Sequence, residues 1–534
     1  MTGPVPDGPP APDGDTRSAV GRPGTVARRR GGVALPSVAA GVGLALSLPP
    51  WGFWALAFPS AGLLWWRLAG LAPRTRLWAG WLAGLGCYVP GLWFTRAFTL
   101  PGAAVLMAAE ALTLAVACLA VPRGPVWARA LAFPTALTLA EAVRQTWPFG
   151  GLPIGGVYLG QADGPLLGTA RLGGPLLLTA LVGVGGVVVA VLATAGLDAA
   201  RGRRRGAVAD LAGLLTVGVV GLVALVGSTA VAAVAPDGGP SVGTVTAAAV
   251  QGGGLRGFRK SQVDPATVLA AAVAATDGLA RRTAGRPLGL VLWPEDVVSL
   301  DGPLDGSPEE AALGELARTL HSTLVVGVTE TLSATVYRNE VVAFGPDGTV
   351  VDRYEKVHRV PFGEYVPWRS FFAHLGDLSA VPRDAVPGTG TGLLTTPAGP
   401  IGAMISFEVF YADRGRAAVR AGAQLLLVPT NTSSYAASQV PTQEVAASEV
   451  QAVQQGRDLL QAAPTGYSAW ITNRGVLEAR STLGVRQVVG AVLHRRTGTT
   501  LYVRFGDAPV LIAALLALVA AWWPAVRART RRYS

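Results

Sequence analysis

The chain has little of what metal sites, disulfide frameworks and water-exposed surfaces are built from. Its 534 residues include 2 cysteines and 4 histidines, and 14% are charged. Cys87 and Cys118 both lie inside apolar runs, which excludes a disulfide scaffold or thiolate metal site and reads both as small buried hydrophobes. His321, His358, His374 and His494 are scattered without ligand spacing, so neither a metal nor a cofactor is assigned. The first stretch lacks an apolar core ahead of a cleavage site. It is rich in Pro, Gly, Asp and Arg, and residues 1–32 are expected to be a disordered cytoplasmic tail and not a signal peptide.

Apolar sequence is abundant instead. Half of the chain is hydrophobic, a balance typical of membrane proteins. Runs near the ~20 residues that cross a bilayer occur at 33–49, 51–67, 77–97, 99–121, 128–145, 172–198, 210–234 and 509–525. This pattern predicts a polytopic α-helical membrane domain of about eight spans, the first two forming a hairpin broken at Pro49 and Pro50.

The net charge of +11 raises the question of nucleic acid, and the positions of the arginines answer it. They cluster in alternate loops: Arg17, Arg22, Arg28, Arg29 and Arg30; Arg67, Arg74 and Arg76; Arg123 and Arg129; Arg201, Arg203, Arg204 and Arg205; Arg527, Arg529, Arg531 and Arg532. The intervening short loops carry chiefly Arg96 and Arg171. By the positive-inside rule both termini are cytoplasmic. The basic charge is topological, and no nucleic-acid partner is expected. Residues 33–238 are expected to be the membrane domain with about seven spans, 239–507 a hydrophilic domain outside the cytoplasm, and 508–534 a final span with a basic cytoplasmic tail. The chain is thus expected to be a multi-pass protein of the cell membrane. Within the spans, Glu141 and Arg144 are either an i,i+3 ion pair or part of a substrate loop, and Glu110 is either a structural contact or part of a cavity.

The hydrophilic insert alternates short apolar strands with helices. VGTVTAAAVQ, LGLVLWPED, STLVVGVTE, NEVVAFGPDGTVVDRYEKV, LLTTPAGPIGAMISFEV and AQLLLVPTN read as strands, several ending in polar residues. Residues 265–284 and 308–320 read as helices, and Pro346-Asp347-Gly348 turns a hairpin. Three strand ends carry chemistry: Glu295 in WPED, Lys356 after the hairpin, and Ser406 after Ile401–Ile405. Each alone reads as a solvated polar group. Together they supply a base, a cation and a nucleophile.

The segments LWPED, PDGTVVDRYEKVHRVPFGEYVPW, ISFEVFYADRGR, LLLVPTNTSSY and QQGRDLLQAAPTGYSAWI follow one another through the insert. On these the insert resembles the carbon–nitrogen hydrolase (nitrilase) superfamily, and the whole chain resembles the apolipoprotein N-acyltransferase family. The resemblance implies an α/β domain, a nitrilase-like αββα sandwich, with a Glu-Lys-Cys triad. Carried onto this chain, Glu295 is the general base, Lys356 stabilises the oxyanion and helps protonate the leaving group, and position 406 holds the nucleophile. Glu364 and Glu408 match accessory acidic positions that set the lysine's charge and geometry, and Arg457 matches a structural support. The partners implied are a phospholipid acyl donor and lipid-modified apolipoproteins. The reaction implied is ping-pong acyl transfer to the α-amine of a diacylglyceryl-cysteine.

Ser406 departs from that pattern. A thiol of pKa about 8.5 ionises readily, whereas a serine hydroxyl must lose its proton during attack. Two functions therefore stay open: an acyltransferase with a serine nucleophile, or a lipid- or lipoprotein-binding pseudoenzyme. A serine hydrolase of another kind is excluded because Ser406 is not in a G-x-S-x-G elbow.

Overall fold

The computed structural model describes residues 23–200, 208–254, 262–282, 288–374 and 378–530. Most of the expected tail lies outside the described residues, as do Arg17, Arg22, Arg201, Arg203, Arg204, Arg205, Arg531 and Arg532 of the basic loops. The first helix, α1 (Pro23–Leu46), starts ahead of the apolar run, so the end of the expected tail at 23–32 is helical. Extending a helix that already exists adds a hydrogen bond per residue without a new nucleus.

Seven further helices occupy the other apolar runs: α2 (Ala57–Arg67), α3 (Pro73–Gly91), α4 (Leu100–Ala120), α5 (Val126–Arg144), α6 (Ala170–Ala200), α7 (Val208–Val234) and α14 (Ala508–Thr530). The break at Pro49 and Pro50 is present between α1 and α2, and α6 is kinked at Gly173 and Gly174 ahead of Pro175. Among the described residues four helical stretches are long and apolar enough to cross a bilayer: Leu100–Ala120, Leu167–Leu197, Ala212–Val234 and Ala508–Arg527. α2, with 11 residues, is too short to do so alone. Cys87 and Cys118 are buried in α3 and α4.

Arg144, at the end of α5, knots the bundle. Its guanidinium donates to Glu110 at 2.6 Å, to Glu141 at 2.9 Å and to the carbonyls of Leu152 and Ile154 at 3.0 Å, and it lies over the Tyr88 ring. The i,i+3 pair is therefore real, and Glu110 joins it across helices. A cavity of about 30 Å³ beside it is lined by Tyr88, Glu141, Arg144 and apolar side chains. That is room for water and far too little for an acyl chain.

The insert folds as two facing sheets. The strands are β1 (Ser241–Gln251), β2 (Leu290–Leu292), β3 (Val298–Leu300), β4 (Thr323–Thr331), β5 (Val336–Phe344), β6 (Val350–Glu355), β7 (Asp384–Ala385), β8 (Leu393–Thr396), β9 (Gly399–Ala403), β10 (Leu425–Pro429), β11 (Leu459–Ala462), β12 (Ala469–Ile471), β13 (Leu477–Arg480) and β14 (Gln487–Arg496). One sheet runs β14-β1-β2-β4-β5-β6, with β3 on β4 and β7 on β5; the other runs β13-β12-β11-β10-β9-β8. Each has a parallel centre, β1-β2-β4 and β9-β10-β11, flanked by antiparallel strands. Leu290, Val325, Val341, Ile401, Leu425, Leu427 and Leu460 fill the space between the sheets.

Helices cover the outer faces. α8 (Pro265–Arg282) and α9 (Pro308–Leu320) contribute Ala272, Leu279, Leu313 and Ala317 to the core over the first sheet. α11 (Ala412–Arg420) and α12 (Val440–Gln455) cover the second, between the four-residue α10 (Arg369–Phe372) and the short α13 (Leu501–Phe505) in chain order. The predicted helix at 308–320 and the Pro346–Gly348 hairpin are present, and the predicted helix at 265–284 ends at Arg282 within the described residues. β11 to β14 and α12 have no counterpart among the predicted elements.

α12 joins the two parts of the molecule. Val445, Ala446, Val450 and Val453 share one hydrophobic core with the bundle helices. Gln443 Oε1 accepts from the Gly155 amide at 3.0 Å, and Gln439 donates to the Pro90 carbonyl at 2.6 Å. Arg144 and α12 thus grip the same loop, 152–155, from its two sides. Arg144→Leu should strip two buried carboxylates of their counter-ion at a cost of roughly 3–5 kcal/mol. The expected result is a lower midpoint of thermal unfolding in detergent than Glu110→Gln produces.

Candidate active site

Glu295 and Lys356 meet above the carboxyl ends of the parallel strands, where open α/β sheets place their ligands, and Glu408 ties the Ser406 turn to the segment after the lysine. Glu295 stands just beyond β2, Lys356 just beyond β6 and Ser406 just beyond β9. Burial is nearly complete: Glu295 is 5% exposed, Lys356 2% and Ser406 9%.

Lys356 is held by two carboxylates. Its Nζ donates to Glu295 Oε1 at 2.8 Å and to Glu364 Oε1 at 2.7 Å. Asn339, on β5, donates to the same two oxygens at 2.8 and 3.1 Å, and Glu364 Oε2 accepts from the Val360 amide at 2.7 Å. Burial favours the neutral amine, but Glu295 and Glu364 more than reverse this and hold Lys356 above the ordinary lysine range. Burial pushes Glu295 above the usual carboxylate range, Lys356 pulls it back, and Glu364 raises it again. An ammonium has three N–H donors. Two are engaged here, which leaves one for an oxygen of a bound reactant.

Ser406 sits in the left-handed region with φ 50°, a conformation costing a non-glycine residue of order 1–3 kcal/mol. Glu408 holds the turn in place. One carboxylate oxygen accepts from the Val357 and His358 amides at 2.8 and 3.0 Å, and the other accepts from the Ile405 amide at 2.8 Å. The Tyr354 hydroxyl donates to the same group at 2.9 Å. Glu408 therefore staples the chain directly after Lys356 to the chain directly before Ser406. Of the two accessory acids, Glu364 meets the ammonium itself, whereas Glu408 acts on the backbone around it. Arg457 is buried away from these groups and donates to the carbonyls of Ala423, Gly456 and Gly498.

Three residues of this constellation were not singled out in the sequence. Thr430, one residue past β10, has its Oγ1 3.2 Å from Ser406 Oγ, and the same hydroxyl donates to Glu444 on α12. Asn339 is the third. Thr430 obeys the strand-end pattern that marked the others; Asn339 and Glu444 carry no such signal. The described residues include no cluster of His, Cys, Asp and Glu able to hold a metal ion.

Residues 40–188 match the apolipoprotein N-acyltransferase N-terminal domain, and residues 246–495 match the carbon-nitrogen hydrolase domain. The chain is 31% identical to the apolipoprotein N-acyltransferase of Mycolicibacterium smegmatis, over 82% of this chain and 76% of that one. The chain belongs to the apolipoprotein N-acyltransferase family. It is likewise 30% identical to the Pseudomonas putida member, over 91% of this chain and 95% of that one. Among solved structures, a Helicobacter pylori carbon-nitrogen hydrolase aligns with 47% of this chain and 89% of its own at 18% identity and TM-score 0.34. Family membership makes the chain an acyltransferase with a nitrilase-like α/β domain.

Removing the staple tests the geometry. Glu408→Ala leaves three backbone amides and one hydroxyl without their acceptor, at roughly 1–3 kcal/mol for each buried donor. Amide hydrogen exchange at 354–358 and 404–408 should rise together, with the strands β1 and β4 still protected.

Proposed function

We propose that this chain moves an acyl chain from a phospholipid to the α-amine of the diacylglyceryl-cysteine at a lipoprotein N-terminus, through an acyl-Ser406 intermediate. The observation that carries this is the buried Lys356 ammonium clamped between Glu295 and Glu364. A charge so costly to bury has no value to a sheet edge, but at a nucleophile it stabilises a tetrahedral oxyanion. In this reading Lys356 binds the oxyanion and protonates the departing oxygen. Glu295 takes a proton from the attacking group, and Glu364 with Asn339 keeps the lysine aimed.

The same reading makes the eight apolar runs of α1 to α7 and α14 membrane spans, α2 together with residues 51–56 of its run, with 239–507 outside the cytoplasm and both termini inside. The alternating arginines support it. So does an aromatic cluster at the site's edge: Phe149, in the loop after α5, packs on Phe362 and Trp368, in the loop after Lys356, and Trp368 is 70% exposed. Amphipathic aromatic side chains favour the bilayer interface. A cysteine placed between Asp301 and Ser307 should react with an impermeant thiol reagent in intact cells; reaction only after lysis would overturn the orientation.

The serine hydroxyl favours a second reading, a binding protein without turnover, since each added ~1.4 kcal/mol of barrier costs tenfold in rate. The three proteins wild type, Ser406→Ala and Ser406→Cys separate the two readings. Given a phospholipid and a diacylglyceryl-cysteine peptide, the wild type should form N-acyl peptide, Ser406→Ala none, and Ser406→Cys a hydroxylamine-labile acyl-enzyme in greater amount. Undiminished product from Ser406→Ala would remove Ser406 as nucleophile, and no product from any of the three would leave the binding reading.

A further inference from the structure

The nucleophile has a neighbour that the Glu-Lys pair does not explain. Glu444 lies in the second turn of α12, 2% exposed, and its Oε1 accepts the Thr430 hydroxyl at 2.5 Å. Its other oxygen is buried with no hydrogen-bond partner among the described residues. A carboxyl group in that position is expensive unless it does something. Thr430 is fully buried and its hydroxyl oxygen is 3.2 Å from Ser406 Oγ. A threonine hydroxyl has one proton to give. When it gives that proton to Glu444, its oxygen is free to accept one from Ser406.

We propose that Thr430 and Glu444 form a second proton path, which takes the Ser406 proton during acylation and returns it when the acyl group leaves. The inference rests on the acyl-transfer reading above and deepens it. Glu295 Oε1 already accepts from Lys356 and Asn339, whereas the Thr430 hydroxyl lies within hydrogen-bond distance of Ser406 Oγ and offers the first proton a direct acceptor. A thiol would have little use for this path, because it ionises readily on its own. An alcohol needs its proton removed as it attacks.

The protons and bonds balance over both half-reactions. In the first, the Ser406 O–H bond breaks as Oγ bonds to the ester carbonyl carbon of the phospholipid. The proton passes to Thr430, and Thr430 passes its own to Glu444. The carbon–oxygen bond to the lysophospholipid then breaks, and its oxygen takes a proton from Lys356. In the second, the lipoprotein amine bonds to the acyl carbon and gives its proton through Glu295 to Lys356. Ser406 Oγ departs and regains its proton from Thr430, which is resupplied by Glu444. No oxidant, metal or further reactant enters.

Burial lifts the Glu444 carboxyl to about 8, with the Thr430 bond and Lys356 pulling it down and Glu295 raising it. Glu295 and Lys356 are the charged groups that face it. Because the path needs Glu444 as a carboxylate, acylation should speed up as pH rises through about 8.

The test compares Glu444→Gln, Thr430→Val and Thr430→Ser in the full-length protein, in both the wild-type and the Ser406→Cys backgrounds. The readouts are the single-turnover rate of acyl-enzyme formation from phospholipid vesicles and its pH profile. In the wild-type background, Glu444→Gln and Thr430→Val should each slow acylation on the order of 100-fold, Glu444→Gln should flatten the rise near pH 8, and Thr430→Ser should restore most of the rate. In the Ser406→Cys background, Glu444→Gln should cost only about threefold, since the thiol needs less assistance. Equal losses in the two backgrounds, or a pH profile that Glu444→Gln leaves in place, would show a structural role and overturn the path while leaving acyl transfer intact. Absence of acyl-enzyme and product in both parent proteins would overturn the acyl-transfer reading and the path with it.

Discussion

A buried positive charge organises this molecule. Moving the Lys356 ammonium out of water costs several kcal/mol, and only close opposite charges with complete hydrogen bonding offset it. Glu295 arrives from β2, Asn339 from β5, and Glu364 from the loop after the lysine. The parallel centre of one sheet and its antiparallel flank must therefore be in register for the charge to be tolerated. Once they are, the ammonium is buried and fixed between two carboxylates that favour its charged form. Those are the properties that make a cation effective at a developing oxyanion.

The second sheet supplies the other half of the site under a different constraint. Ser406 occupies a backbone conformation that a side chain disfavours, and Glu408 holds it there by pairing with amides just beyond β6 and just beyond β9. A single carboxylate thus ties the two halves of the sandwich together beside Ser406. At the position where the family resemblance implies a cysteine, the Ser406 hydroxyl differs from a thiol in its much lower acidity. The surrounding hydroxyl and carboxylate, Thr430 and Glu444, are suited to that change.

Much of this was legible in the sequence where the physical signal is local. Apolar runs of bilayer length marked where the helices α1 to α7 and α14 lie, and proline with glycine marked the 346–348 hairpin. The boundaries slipped where helix continues past the apolar stretch, as α1 does, and α2 is shorter than its run. Glu295, Lys356 and Ser406 stood out because polar residues at the ends of buried strands are conspicuous. Glu364 and Glu408 came from resemblance, and their separate duties became visible only in three dimensions. β14 pairs with β1 from the far end of the insert, a long-range pairing that no short window records. α12 was illegible for another reason: Gln443, Glu444, Ser448, Glu449, Gln451, Gln454 and Gln455 give it the composition of a surface helix, yet all of them are buried. Periodicity locates a helix by contrast between a wet face and a dry one, and α12 has no wet face.

That helix also fixes a height. Gln439 holds the Pro90 carbonyl near the end of α3 and Gln443 the Gly155 amide in the loop after α5, while Gln451 and Gln455 hold the carbonyls of Val409, Tyr411 and Ala412 just after Ser406. One rigid rod of about 24 Å spans these two sets of anchors. The separation of Ser406 from the helix bundle is then a built-in dimension of the protein and not the outcome of a tether. Any group that reaches Ser406 from the bundle therefore meets one fixed separation, set by the length of a helix before any side chain contributes.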